Sequence, residues 1–140
     1  MEELTGQLVV VHPQLTTDPV SRQGQIGVIA TADIKKDTIS VGFGSGPIGK
    51  YSSDALLVLK DKNELYQDAM TGVKDMDAKT FHDLLELNMK QERSGYGNVS
   101  AAMKIALDSP EVMKRSMISL EDYISRNQIK DVSEEVSFER

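Results

Sequence analysis

Residues 38–51 read Thr38-Ile39-Ser40-Val41-Gly42-Phe43-Gly44-Ser45-Gly46-Pro47-Ile48-Gly49-Lys50-Tyr51, and two folds compete for them. Ile39, Val41 and Phe43 alternate onto one face of a strand. The next six residues match G-x-G-x-x-G letter for letter, and Glu64 lies about twenty residues beyond the first glycine, the spacing of a dinucleotide-binding fingerprint. That chemistry needs a helix directly after the glycines, its N-terminus facing a pyrophosphate, and parallel strands around it. Here Lys50-Tyr51-Ser52 suits another strand, and the region past Lys60 is helical without alternating strands. The glycines therefore predict a Gly-Pro hairpin turn. A near match to G-x-x-x-x-G-K-[ST] is weaker, because Tyr51 stands where a small hydroxyl should meet magnesium.

Outward from this turn, the chain divides near Lys60. Residues 1–60 hold seven of the ten Gly and three of the four Pro, whereas 61–140 hold six of the seven Met. Gly and Pro punctuate turns, and Met, Leu, Ala, Glu and Lys favour helices, so strands come first and helices follow. Strands are predicted at Leu8-Val9-Val10-Val11, at 25–31, at 38–43, at 50–52 and at 55–59, with a long polar surface loop over 14–23. Five short strands in about sixty residues suit a small closed barrel, which leaves no exposed sheet edge.

Three or four helical segments are predicted after residue 60. Asp61 caps a short one carrying Leu65, Tyr66 and Ala69, and Asp77 caps the next, where Phe81, Leu84, Leu85 and Met89 share an apolar face. Val99, Ala102, Met103 and Ala106 repeat the pattern. Ser109-Pro110-Glu111 is a helix start, leading into the stripe Met113, Met117, Leu120 and Ile124. The acidic segment 131–140 reads as a mobile tail. The expected fold is α+β: a five-stranded barrel over 1–60, a helical domain over 61–130, and the tail.

The chain has 140 residues, no Cys, and 22 acidic against 16 basic side chains, a formal charge of −6. Without Cys there is no disulfide scaffold, thiolate nucleophile or cysteine zinc site. The acidic start and the lack of a long apolar run argue against a signal peptide or a membrane partner, and a cytoplasmic location is expected. Five basic and six acidic residues in 1–60, against eleven and sixteen in 61–140, leave the first half close to neutral. Net acidity therefore does not remove nucleic acid as its partner.

Two histidines restrict acid-base and metal schemes. His82 and Glu86, one turn apart on a helix, read as a solvated pair and not as metal ligands, and His12 before Pro13 ends a strand. No catalytic set is recognised, and neither a cofactor nor a metal is expected. The methionine stripes read as helix core. Phe43 is assigned to the barrel core and Tyr51 to the surface. The candidate binding residues are Arg22, Lys35, Lys36, Ser45, Lys50 and Tyr51.

Val9-x-Val11, Gly24-x-x-Gly27-Val28-Ile29, Ile39-x-Val41-x-Phe43, the glycine turn, Tyr51 and Leu56-x-Val58-Leu59 together resemble an SH3-like small barrel of the KOW or Mind bomb type. The resemblance covers residues 8–59 and no family is recognised for 61–140. It implies a barrel whose last strand returns beside the first. It further implies binding of RNA or of ribosomal and transcription proteins for KOW-type modules, and of protein segments for the Mind bomb type. The expected function is a non-enzymatic intracellular adaptor with a protein partner, contacting it through loops 14–23 and 44–51 and through a helical face that could also join two copies. RNA binding, with Arg22, Lys35, Lys36 and Lys50 on phosphates and Tyr51 stacking on a base, is the alternative. A nucleotide-using enzyme built on the Gly44–Gly49 loop is the third.

Overall fold

The computed structural model describes residues 4–15, 18–93 and 95–127; the predicted tail lies outside them. The architecture is α+β. Strands β1 (Leu8–Val11), β2 (Ile26–Asp33), β3 (Thr38–Gly42), β4 (Gly49–Tyr51) and β5 (Leu56–Leu59) precede helices α1 (Lys62–Thr71), α2 (Ala78–Arg93), α3 (Tyr96–Leu107) and α4 (Pro110–Ser116). A short strand β6 (Met117–Ser119) and helix α5 (Leu120–Asn127) follow. The sheet is an open ladder in the order β4-β3-β2-β1-β5-β6, six strands with two ends where five strands closed into a barrel were expected. By contacts the described residues form two compact units, one of those within 4–58 together with 119–127, the other of those within Leu59–Ile118.

In the strand unit, β1 is central and pairs antiparallel with β2 (Val9 opposite Gly27) and with β5 (Val11 opposite Leu56). Val9, Val10 and Val11 are all buried, as an uninterrupted β-branched run requires when both faces of a strand are covered. A register irregularity in β2 between Ile29 and Thr31 lets it continue beside β3, where Ile29 faces Val41 and Ala32 faces Ile39. Gly27 has a steric reason. A Cβ there would stand 2.5 Å from Val41 Cγ1, 2.8 Å from Phe43 Cε1 and 2.9 Å from the Gly42 carbonyl oxygen. A 3-10 turn at Ser53–Ala55 leads into β5, and α5, with Leu120 buried, packs on that turn.

The helical unit starts as its caps predict. Asp61 Oδ2 accepts from the Asn63 and Glu64 amides at 3.0 and 3.3 Å, and Ser109 Oγ accepts from Val112 N–H at 3.4 Å ahead of Pro110. Two expectations change. The stripe Met113, Met117, Leu120, Ile124 is not one helix, because α4 stops at Ser116. The Ser116 hydroxyl donates back to the Val112 carbonyl at 2.7 Å, and the Ser116 carbonyl accepts from Lys60 N–H at 2.8 Å, so it is not free to continue the helix. Met117 and Leu120 are buried all the same, which is why the apolar spacing alone looked helical.

The second change is the inward face of α2. Thr80, Leu84, Leu87 and Asn88 are its buried residues, whereas Met89, predicted in the core, is 58% exposed. Asn88 Nδ2 donates to the Lys62 carbonyl at 2.9 Å and Gln91 Nε2 to the Lys60 carbonyl at 2.8 Å. These bonds bring the 84, 88, 91 column against the start of α1. On a helix that rotation carries Met89 outward.

Candidate functional site

The two loops predicted to receive a ligand hold each other. Asp18 opens a turn in the first of them: Oδ1 accepts from Val20 N–H and Oδ2 from Arg22 N–H, both at 2.9 Å, an arrangement short acidic side chains favour. The Tyr51 hydroxyl, from β4, donates to the same Oδ1 at 2.8 Å. Partial burial pushes the Asp18 carboxyl up, but the Val20, Tyr51, Arg22 and Ser21 hydrogen bonds outweigh it and hold the group below its ordinary pKa. Burial, then the bond to Asp18 and its charge, drive the Tyr51 phenol above its ordinary value. Tyr51 is only 5% exposed. Its assignment to the surface is thereby corrected; the ring fills the space over Gly49, where a Cβ would meet Tyr51 Cε2 at 2.7 Å and Val20 Cγ2 at 2.9 Å.

Arg22 is the second tie. Its Nη2 donates to the Ser45 carbonyl at 2.9 Å, its Nη1 to Gln25 Oε1 at 3.0 Å, and its guanidinium lies 5.1 Å from the centre of the half-buried Phe43 ring. Gly46, at φ +79°, makes room for it, since a Cβ there would fall 2.6 Å from Nη2. Arg22 is thus committed to the glycine loop. The loop itself joins antiparallel strands β3 and β4, so its amides do not lead into a helix as the dinucleotide fingerprint requires. Ser45, Lys35, Lys36 and Lys50 are exposed. Lys35 and Lys36 belong to the β2–β3 turn, built by Asp33 Oδ1 accepting from Lys36 N–H at 3.2 Å, and Lys50 lies on β4 opposite Ser40.

His12 Nδ1 accepts from Gln14 N–H at 3.1 Å just after β1. The ligand atoms of His82, Asp83 and Glu86 lie within 4.8 Å of one another. Asp83 is tied to Lys79 at 2.8 Å, and both His82 and Glu86 are exposed, the ordinary condition of a charged helix face.

The helical unit carries a feature that sequence reasoning placed in the core. A groove of about 640 Å³ runs between α1 and α2, lined among others by Lys62, Tyr66, Met89 and Arg93. Tyr66 is 43% exposed, Met70, one turn further along α1, is 39% exposed, and Val73, in the 3-10 turn that follows the helix, is 40% exposed. With Met89 across from Tyr66, the pair Tyr66 and Met70 gives α1 an outward apolar edge. The available signal was Asn88-Met89 itself. With Leu84, Leu87 and Asn88 inside, position 89 is the one that turns out.

No helix of the described residues is long and apolar enough to cross a membrane. Comparison with protein-family models, with curated proteins and with solved structures finds no match for this chain.

Proposed function

We propose that this chain is a non-enzymatic cytoplasmic adaptor that holds a protein partner in the α1–α2 groove of its helical unit. The observation that carries the reading is the outward placement of Tyr66 and Met89 in one groove, with exposed Met70 one turn beyond Tyr66 on α1. Large apolar side chains gathered at a groove are characteristic of protein contact surfaces, and Tyr is among the residues that dominate binding there. For the strand unit we propose a likeness to SH3-like modules of the KOW or Mind bomb type, with the ladder left open instead of closed into a barrel. The return of β5 beside β1, with Val10 opposite Leu57, supports that family likeness. The Mind bomb type, whose modules bind protein segments, agrees better with a protein partner.

RNA binding would have to manage with Lys35, Lys36 and Lys50, because Arg22 is engaged with Ser45 and Phe43 and the Tyr51 ring is buried. Nucleotide chemistry at Gly44–Gly49 would lack the helix that its glycines should precede. A photo-crosslinking residue placed at Met89, and separately at the exposed Lys35, tests the reading in cells. Crosslinks to a defined protein from position 89 are expected, and they should vanish when Tyr66→Ala is added. Crosslinks to RNA from position 35, with none to protein from position 89, would overturn it.

A further inference from the structure

We infer that the occupant of the α1–α2 groove is an amphipathic helix with two apolar anchors one turn apart and an acidic residue one turn beyond them; this rests on the adaptor reading above. The groove has a direction. Lys62 begins α1 and Arg93 ends α2, and the bonds from Asn88 to Lys62 and from Gln91 to Lys60 set those two ends side by side. Tyr66 lies one turn further along α1 than Lys62, and Met89 one turn before Arg93 on α2. Moving away from the charged end, the groove runs from Lys62 and Arg93 to Tyr66 and Met89, and Met70 lies exposed one turn further along α1.

The charge at that end is unspent. Neither Lys62 nor Arg93 has an ion pair among the described residues, and Glu92 is the single carboxylate lining the groove. Two cations against one anion make a positive end on a chain of net charge −6. An acidic partner is repelled by most of this protein and attracted here, which fixes its orientation as well as its place. Tyr66 and Met70, one turn apart on α1, with Met89 of α2 across from Tyr66, fit a third helix laid along the groove, which presents its own anchors at the same interval.

Selection from a phage-displayed library of random peptides of about 14 residues, near four helical turns, tests this on the full chain. Binders that need Tyr66 and Met89 should be enriched in apolar pairs at i, i+4 with Asp or Glu one turn away. Against the Lys62→Glu, Arg93→Glu double variant, the acidic binders should lose at least about tenfold in affinity, and selection should now favour Lys or Arg at that position. The double variant must keep the native circular dichroism spectrum. Unchanged charge preference, or enrichment of extended sequences without the apolar pair, overturns the helical acidic occupant while leaving a protein-binding groove intact. The absence of any Tyr66-dependent binder, together with no crosslink from position 89, overturns both. A sedimentation experiment showing a dimer that Met89→Glu dissociates would mean a second copy covers the groove, and also overturns the proposal.

Discussion

The Tyr51 hydroxyl donates to Asp18 Oδ1 at 2.8 Å across a sequence separation of 33 residues. With Arg22 over Gly46, this bond joins the 14–23 loop to the glycine loop. The pair explains why a motif that spells a phosphate cradle is a structural fastening. Gly49 admits the Tyr51 ring and Gly46 admits the Arg22 guanidinium.

Tyr51→Phe keeps the ring and removes the donor. Asp18 retains two amide donors, so the loss should be about 1.5–3 kcal/mol, the range for a hydrogen bond to a charged group. Denaturant unfolding measures it. A change under about 0.3 kcal/mol would show that the bond contributes nothing to the fastening.

The same pair sets a pH dependence. The Asp18 carboxyl, lowered in the folded chain, contributes stability that is present above its unfolded pKa and is lost as the pH falls through its folded value. Asp18→Asn should therefore cost stability near neutrality and flatten the acid limb of the stability profile. Tyr51 behaves oppositely, its raised phenol contributing below its unfolded pKa of about 10 and losing that contribution as the pH rises through the folded value. Carbon NMR should find the Tyr51 ring still protonated where a free tyrosine is half ionised; ionisation at the free value would contradict the Asp18 bond.

Two glycine substitutions should differ in how they fail. Gly27→Ala drives a Cβ toward the Gly42 carbonyl as well as two side chains, and backbone cannot step aside cheaply. A cost of about 1–3 kcal/mol is expected, as for overpacked cores. Gly49→Ala meets the side chains of Tyr51 and Val20, so it should act by displacing the ring. Its effect and that of Tyr51→Phe should then combine to less than their sum in a double-mutant cycle, whereas Gly27→Ala and Tyr51→Phe should add.

Arg22→Lys preserves the charge and loses the planar fork that serves Ser45, Gln25 and the Phe43 face together. A loss of about 0.5–1 kcal/mol is expected, with faster amide hydrogen exchange at Gly44 and Gly46. Unaltered exchange would mean that the guanidinium does not hold the loop.

What the sequence made legible was local. β-Branched runs marked β1 and β3, and Asp61 and Ser109-Pro110 marked helix starts, because each signal acts within a few residues. The Asp18–Tyr51 and Arg22–Ser45 bonds join residues 33 and 23 positions apart, and no periodicity announces such a pairing. Strand β6 was hidden for another reason. Met117 and Leu120 are buried whether the intervening residues are helical or extended, and only the Lys60–Ser116 bond decides. The groove was missed because hydrophobicity was taken as a mark of burial. On α2 the deciding side chain is Asn88, whose polar group is satisfied by the Lys62 carbonyl.

That rotation of α2 yields the sharpest test of where contact is made. Leu84 and Leu87 face inward and are buried, so Leu84→Ala or Leu87→Ala should cost about 2–5 kcal/mol through lost burial and the cavity left behind. Met89→Ala should stay within about 0.5 kcal/mol, as surface changes do, although the apolar spacing of Phe81, Leu84, Leu85 and Met89 would put Met89 in the core. Asn88→Ala should cost about 1–3 kcal/mol, since the Lys62 carbonyl loses its side-chain donor in a partly buried place. If Met89→Ala cost as much as Leu84→Ala, α2 would present its other face to the core, Tyr66 would lose its neighbour in the groove, and the adaptor surface would go with it. A neutral Met89→Ala that abolishes crosslinking from a photo-reactive residue at the exposed groove position Gln67 would instead separate binding from stability at a single side chain.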